Sequence, residues 1–189
     1  MREGRGISQE EFACVVDRYQ GRLQAFLYGL VGSTESAFDL VQDTFYEAWR
    51  STQHGDAPWI VGVQDSEQRR WLFRAAYNNA ITILRRQRLI RWESLDVSDY
   101  PEPPVAEGRW TFEEQFAEGE ALAAALAQLS PQDTACLLLR IVHGFSAAEV
   151  GIMFDASSDA INQRTARAKQ RLRAAYIRTQ TPTEERTSR

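Results

Sequence analysis

SAAEVGIMFDASSDAINQRTARAKQRLRAAY, residues Ser146–Tyr176, spells two helices separated by a short polar break. Ser146-Ala147-Ala148-Glu149 is a capping box: the Ser hydroxyl accepts from an orphan amide while Glu149 reaches back to the cap. A helix therefore starts at about Ser146 and carries Val150, Ile152, Met153 and Phe154 until Asp155-Ala156-Ser157-Ser158 interrupts it. Ser157 or Ser158 suits the N-cap of a second helix. Along that helix Ile161, Ala168, Leu172 and Tyr176 recur at three- and four-residue steps, with Thr165 filling the gap, so one face is buried. The other face carries Asn162, Gln163, Arg164, Arg167, Lys169, Gln170, Arg171 and Arg173. The pattern is that of a helix-turn-helix without a glycine in its turn, and it points to DNA.

Charge supports that reading because it is local. Ala160–Arg178 holds six basic residues and no acid, in a chain of net charge -4. A solvated surface helix normally interleaves both signs. Residues 1–68 hold 11 acids against 5 bases, Arg69–Arg91 holds seven arginines and no acid, and Trp92–Glu120 holds nine acids against Arg109. Two basic segments thus flank an acidic one, and an acidic chain can bind a polyanion when its positive charge is concentrated where the two meet. The bland alternative, a soluble helix with a basic face, stays open on this segment alone.

With 189 residues, 43% hydrophobic and 25% charged, the chain has room for one medium or two small globular domains. It contains no apolar run long enough to span a membrane and opens on a polar, charged stretch, so a cytoplasmic protein is expected. Cys14 and Cys136 sit in apolar helical patterns, and His54 and His143 are isolated. Neither a disulfide, nor a metal site, nor any cofactor is expected.

Upstream, Ser8-Gln9-Glu10-Glu11 is a second capping box, followed at helical spacing by Phe12, Val15, Val16, Tyr19, Leu23, Phe26, Leu27 and Leu30. Gly32-Ser33-Thr34 ends that helix. Ala37, Leu40, Val41, Thr44, Phe45, Ala48 and Trp49 mark the next, whose exposed side carries Asp39, Gln42, Asp43 and Glu47. After a loop over 51–66, a third helix is predicted from about Glu67 to Arg91, with Trp71, Leu72, Ala75, Ala76, Ile83 and Leu84 inward and the arginines outward. Glu93–Gly108, with Pro101, Pro103 and Pro104 among acids, reads as an extended linker. From about Thr111 a helical pattern includes Leu122, Ala123, Leu126 and Leu129, breaks at Ser130-Pro131, and resumes through Cys136, Leu137, Leu138, Ile141 and Val142. The fold class is all-α: a helical domain over 8–92, a linker over 93–110, a second helical domain over 111–178 and a disordered tail over 179–189.

These residues resemble the extracytoplasmic-function sigma factors, the small two-domain branch of the sigma-70 family, over nearly the whole chain from Phe12 to Tyr176. Asp39-Leu40-Val41-Gln42-Asp43-Thr44-Phe45, followed by Trp49, is similar to the family's D-L-V-Q-E-T-F pattern in region two. Trp71-Leu72-Phe73-Arg74 with Asn78 and Arg85-Arg86 resembles its W-L…R-N…R-R segment. Leu129-Ser130-Pro131, Gly144-Phe145-Ser146, Glu149-Val150 and Arg164…Arg167-Ala168-Lys169…Leu172 resemble region four.

The resemblance implies a non-catalytic initiation factor that binds core RNA polymerase and directs it to promoter DNA. Its partners would be the clamp helices of the largest subunit, the flap region, promoter DNA and, in regulation, an anti-sigma factor. Asp39, Gln42, Asp43, Phe45 and Glu47 would dock on the clamp; an acidic and apolar stripe suits a basic helical partner. Arg70, Trp71, Arg74, Tyr77, Asn78, Asn79, Arg85 and Arg86 would meet the melted minus-ten element through phosphate contacts, stacking and base edges. The 51–66 loop resembles the family's base-capturing loop but runs longer. At the minus-thirty-five element Ser158, Asn162 and Gln163 would read bases while Arg164, Arg167, Lys169 and Arg171 hold phosphates.

The chain departs from the family at Phe38, where an acid is usual, at Tyr77 and Thr82, and at Asp159-Ala160-Ile161-Asn162, where Gly-Thr-Val-Lys is usual. Promoter sequence therefore does not transfer. Other readings are a helix-turn-helix regulator acting without polymerase and a module that sequesters another protein. The first leaves the arginine-only helix and the acidic face of Asp39–Glu47 unexplained. An enzyme fits least, because no nucleophile and base, phosphate loop or paired acids stand in a coherent setting.

Overall fold

The computed structural model describes residues 7–53, 65–93 and 113–180. Among these, all regular structure is helical. The chain divides into two compact units, Met1–Tyr100 and Pro101–Arg189. The tail 181–189 and nearly all of the expected linker lie outside the described residues.

In the first unit α1 spans Gln9–Val31, α2 Thr34–Gln53 and α3 Asp65–Glu93. The Ser8 capping box forms as its spacing demands: Ser8 Oγ accepts from the Glu11 amide at 3.2 Å and Glu11 Oε2 accepts from the Ser8 amide at 2.9 Å. At the other end Gly32 adopts φ 70°, a left-handed conformation that only glycine takes at little cost, and its amide closes on the Tyr28 carbonyl. The chain can then reverse into α2 after a single residue.

Each helix of this unit packs on the other two. Tyr19, Leu23, Phe26 and Leu27 of α1 meet Ala37, Leu40 and Ala48 of α2 and Leu72, Phe73, Ala76 and Ala80 of α3 in a closed core. Phe26 and Phe73 lie tilted with centroids 5.3 Å apart, while Phe12 stands edge-on to Trp49 at 5.0 Å. The third helix is longer at both ends than its spacing suggests, and Glu93, expected to open the linker, is helical. Trp71, Ile83 and Leu84 are half-buried; Phe73 and Ala80 take the innermost places instead.

The start of α3 is held by α1. The Tyr19 hydroxyl donates to Asp65 Oδ1 at 2.5 Å, and Arg18 Nη1 pairs with the same oxygen at 2.8 Å. Burial, and then the Asp65 carboxylate, push the Tyr19 phenol up to about 12. Hydrogen bonds from Tyr19 and then Arg18 hold Asp65 below the usual carboxylate range.

In the second unit α4 is Glu113–Ala127, α5 Pro131–Leu137, α6 Ala147–Phe154 and α7 Ser158–Gln180. Ser130 caps α5 by accepting from the Asp133 amide at 3.1 Å, with Pro131 opening the helix where no amide is needed. The expected continuation through Val142 is not α-helical: Leu138–Val142 forms a π-helical turn, closed by the His143 amide on the Leu138 carbonyl at 2.9 Å. The wider turn breaks the helical phase, and Ile141 and Val142, apolar residues of the expected helical pattern, face solvent. Leu122 of α4 is likewise 44% exposed, and the interior is built from Ala125, Ala135, Cys136, Leu137, Leu139, Phe145, Val150, Met153, Ile161, Ala168 and Ala175. Helix α7 packs against α4, α5 and α6.

The Tyr19–Asp65 bond makes the first unit sensitive to pH at both extremes. A phenol raised in the folded state contributes stability below its ordinary value near 10 and loses it as pH climbs through about 12. The lowered Asp65 contributes above the carboxylate range and loses its share as pH falls through its folded value. Thermal unfolding followed by circular dichroism is expected to show a Tm that drops between pH 10 and pH 12, less steeply in Tyr19→Phe. An identical alkaline slope in the variant would assign the effect to other groups.

Candidate nucleic-acid interface

The helix pair at Ser146–Tyr176 is built from its caps inward. Ser146 Oγ accepts from the Glu149 amide at 3.2 Å, and Glu149 Oε2 accepts from the Ser146 amide at 2.7 Å. At the far end of α6, Asp155 takes φ 52° and ψ 51°, and the Ala156 amide donates to the Gly151 carbonyl at 2.9 Å. Ser157 Oγ then accepts from the Ala160 amide at 3.2 Å and starts α7. The left-handed residue of the turn is thus an aspartate, one of the few non-glycine residues that tolerate it. The glycine this corner requires lies in the helix instead. A Cβ on Gly151 would stand 2.5 Å from the Ala156 carbonyl oxygen, so the turn folds back over α6 only because that side chain is missing.

Ile161, Thr165, Ala168 and Ala175 bury the inner stripe of α7, and Thr165 returns its hydroxyl to the Ile161 carbonyl at 2.7 Å. Ser158, Asn162, Gln163, Arg167 and Lys169 are exposed as the spacing predicts. The arginines divide into two sets. Arg164, Arg171 and Arg178 recur every seven residues, which keeps them on one flank of the stripe. Arg171 pairs with Asp133 of α5 at 2.8 Å and Arg178 donates to Gln128 at 3.1 Å, while Arg164 is half-buried. This flank ties α7 to its own unit, so Arg171, expected to hold phosphate, is exposed but already paired with Asp133. Arg167, Lys169 and Arg173 make no ion pair among the described residues and point outward.

In the first unit α2 exposes Asp39, Gln42, Asp43 and Glu47 together. Phe45, expected among them, is a core residue at 8% exposure, edge-on to Phe12 with centroids 6.3 Å apart. Its phase matches Val41 and Ala48, which are buried. The aromatic that does accompany the acids is Tyr46, 63% exposed, with the Arg50 guanidinium 5.9 Å over its ring. Tyr46 lies three residues after Asp43 and four after Gln42, so helical spacing held that information. Phe38, where the family pattern has an acid, is also exposed, at 53%.

Along α3, helical phase places Arg70, Arg74, Tyr77, Asn78 and Arg85 on one face, with Trp71 at its edge. Arg74, Asn78 and Arg85 are exposed; Arg70, Trp71 and Tyr77 are half-buried. Arg86, though exposed, belongs to the other side. Asn79 leaves the set, because its amide donates toward Glu47 at 3.4 Å and Thr44 at 3.5 Å, both on α2. Residues 54–64 of the loop proposed to capture a base lie outside the described residues.

Residues 15–90 match the family model for Sigma-70 region 2 and residues 119–172 that for Sigma-70 region 4. The ECF RNA polymerase sigma factor SigL of Mycobacterium tuberculosis is 31% identical over 166 residues, covering 87% of this chain and 84% of SigL. SigE of Mycolicibacterium smegmatis is 29% identical over 163 residues, and SigG of Mycobacterium tuberculosis 30% over 188. The chain spans 59% of the length of SigE and 48% of SigG. Among solved structures, the sigma factor RpoE of Bartonella quintana, in complex with the anti-sigma factor NepR, superposes with a TM-score of 0.64 at 21% identity, over 89% of this chain and 98% of RpoE. CnrH, in complex with the cytosolic domain of CnrY, gives 0.61 at 22%, over 92% of each chain. Both share the fold.

The close approach at Gly151 yields a direct test. Ala at an ordinary helix position gains on Gly, but here its methyl meets a backbone carbonyl that cannot move without opening the turn. Gly151→Ala is expected to destabilise the second unit by about 1–3 kcal/mol, the usual range for overpacking. Chemical denaturation of the full chain reads this directly; a midpoint equal to or above that of the parent would show that the corner is not sterically closed.

Proposed function

The chain belongs to the extracytoplasmic-function sigma factors of the sigma-70 family, and from that membership we propose that it binds bacterial core RNA polymerase and directs it to a class of promoters. The observation that supports this most is the pairing, in one small helical unit, of an exposed acidic face on α2 with an arginine-bearing face on α3, followed in the same chain by a second unit holding a helix-turn-helix. A repressor needs only the last of these.

In this reading residues 8–92 dock on polymerase and open the minus-ten element, 93–110 tether, and 111–178 hold the minus-thirty-five element. Asp39, Gln42, Asp43 and Glu47, joined by Tyr46, face a basic helical partner such as the polymerase clamp. Negative charge and one aromatic anchor suit such an interface, since aromatics supply contact area that charges alone do not. Arg70, Arg74, Tyr77, Asn78 and Arg85 offer cations for phosphates, a ring for stacking and an amide for base edges on one surface. On α7, Ser158, Asn162 and Gln163 read bases near the helix N-terminus while Arg167, Lys169 and Arg173 neutralise phosphates. The subunit contributes no bond-making chemistry; it selects where the polymerase begins. No described helix is long and apolar enough to cross a membrane, and the solved structures of similar fold in complex with other proteins support an anti-sigma factor as a further partner.

Mixing the purified chain with bacterial core polymerase and a promoter library tests the reading. Co-purification and discrete start sites are the expected result. Failure of both would reject it, and tight sequence-specific binding to DNA without polymerase would favour a self-sufficient regulator. Asp43→Arg is expected to weaken polymerase binding at least tenfold, by placing a like charge against a basic partner that disfavours it by more than about 1.4 kcal/mol. A variant that keeps polymerase affinity and loses only DNA contacts would contradict the assignment of α2.

A further inference from the structure

The fork of Arg140 joins the π-helical turn to the helix that faces DNA. Arg140 Nη1 donates to the Phe145 carbonyl at 2.7 Å, immediately before the Ser146 cap. Its Nη2 donates to Oδ1 of Asn162, five residues into α7, at 3.5 Å. Phe145 is buried and Arg140 half-buried, so the first contact anchors the guanidinium from inside the unit. The group is planar and rigid; with one nitrogen fixed, the position of the other follows.

We propose that Arg140 is a positioning residue for promoter recognition: it fixes which half of the Asn162 amide faces the major groove, and so helps set base preference at the upstream element. The inference rests on the reading of α7 as the groove-facing helix.

A guanidinium only donates, so the amide atom that faces it is the oxygen. Asn162 is exposed, and with its oxygen held toward Arg140 its NH2 group is the half left to the solvent side. A free asparagine reads adenine in bidentate fashion, accepting from the base amino group and donating to the ring nitrogen. Holding the oxygen removes the accepting half of that pair. What remains is a donor, which suits guanine, with two groove acceptors, or thymine, with one, and gives adenine only half its usual contact. Polarisation by the adjacent cation strengthens the donor further. Sequence alone concealed this, because Arg140 stands 22 positions before Asn162 and in a segment that reads as plain α-helix.

The experiment uses the full chain with core polymerase on a promoter library randomised through the upstream element, with transcripts sequenced. The parent is expected to favour guanine or thymine over adenine at one position. Arg140→Lys keeps a donor for the Phe145 carbonyl but has no second nitrogen for Asn162, and is expected to raise adenine there by roughly five- to tenfold, the scale of one restored base contact. Asn162→Ala is expected to flatten preference at that position, and Arg140→Lys added to it is expected to change nothing more. Unchanged base frequencies in Arg140→Lys, or a further shift in the double variant, would overturn the proposal while leaving the sigma reading intact. A parent that starts no transcript from any library member would overturn both. Should Arg140→Lys lose its cooperative thermal transition, Asn162→Asp decides: its carboxylate keeps the Arg140 contact and presents an acceptor, so preference moves to cytosine, and unmoved preference overturns the proposal.

Discussion

The second unit depends on how α7 buries one narrow stripe. Ile161, Thr165, Ala168 and Ala175 are the residues it sinks against α4, α5 and α6, and two of the four are alanine. Small residues let neighbouring helices come close without cavities, which a unit this size needs because it has little apolar area to spare. The narrowness has a second effect. Flanking positions lie near enough to the neighbouring helices for long cationic side chains to lean across the surface onto them, so Arg171 finds Asp133 and Arg178 finds Gln128. Asp133 is mostly buried and sits in the first turn of α5, where the helix N-terminus already favours a negative charge. The exposed Arg171 therefore adds modestly to stability, but it is no longer a freely available cation.

Helix boundaries were legible where local chemistry sets them. A Ser followed three positions later by Glu satisfies two orphan amides wherever it occurs, and both capping boxes formed at the residues that spelled them. Ser130-Pro131 and Gly32 behaved likewise. Side-chain roles were less legible, since one residue turns a helix by about 100° and only the neighbours decide which edge of a stripe is covered. Phe45 and Tyr46 are adjacent aromatics, yet one is core and the other surface, because Phe12 of α1 covers the first. Asn79 and Asn78 split in the same way when Thr44 and Glu47 claim the former. The π-helical turn left no mark in composition: Leu138–Val142 has the apolar content of any buried helix.

The corner between α6 and α7 shows how a motif can keep its geometry while moving its glycine. A turn between helices needs one residue in the left-handed region and room for the returning backbone. Asp155 supplies the first and Gly151 the second, four residues apart. Reading the turn alone for glycine misses the device, because the steric demand falls on the helix that the turn crosses rather than on the turn.

The number of outward cations governs how such a surface works. Of the six basic residues between Ala160 and Arg178, only Arg167, Lys169 and Arg173 face outward and make no bond with their own unit among the described residues. Each phosphate neutralised steepens the salt dependence of binding by roughly one unit of slope, so about three contacts give a shallow dependence and weak affinity at physiological salt. The chain around them is net acidic, at -4, which lowers that affinity again. A helix-turn-helix acting alone would therefore hold DNA poorly. The same surface is sufficient if a large partner brings it to the duplex, since the second contact then forms at a high effective concentration and needs to supply selectivity more than strength. Under that division of labour, orientation of one amide by Arg140 is worth more than another phosphate contact, because it discriminates between bases where charge cannot.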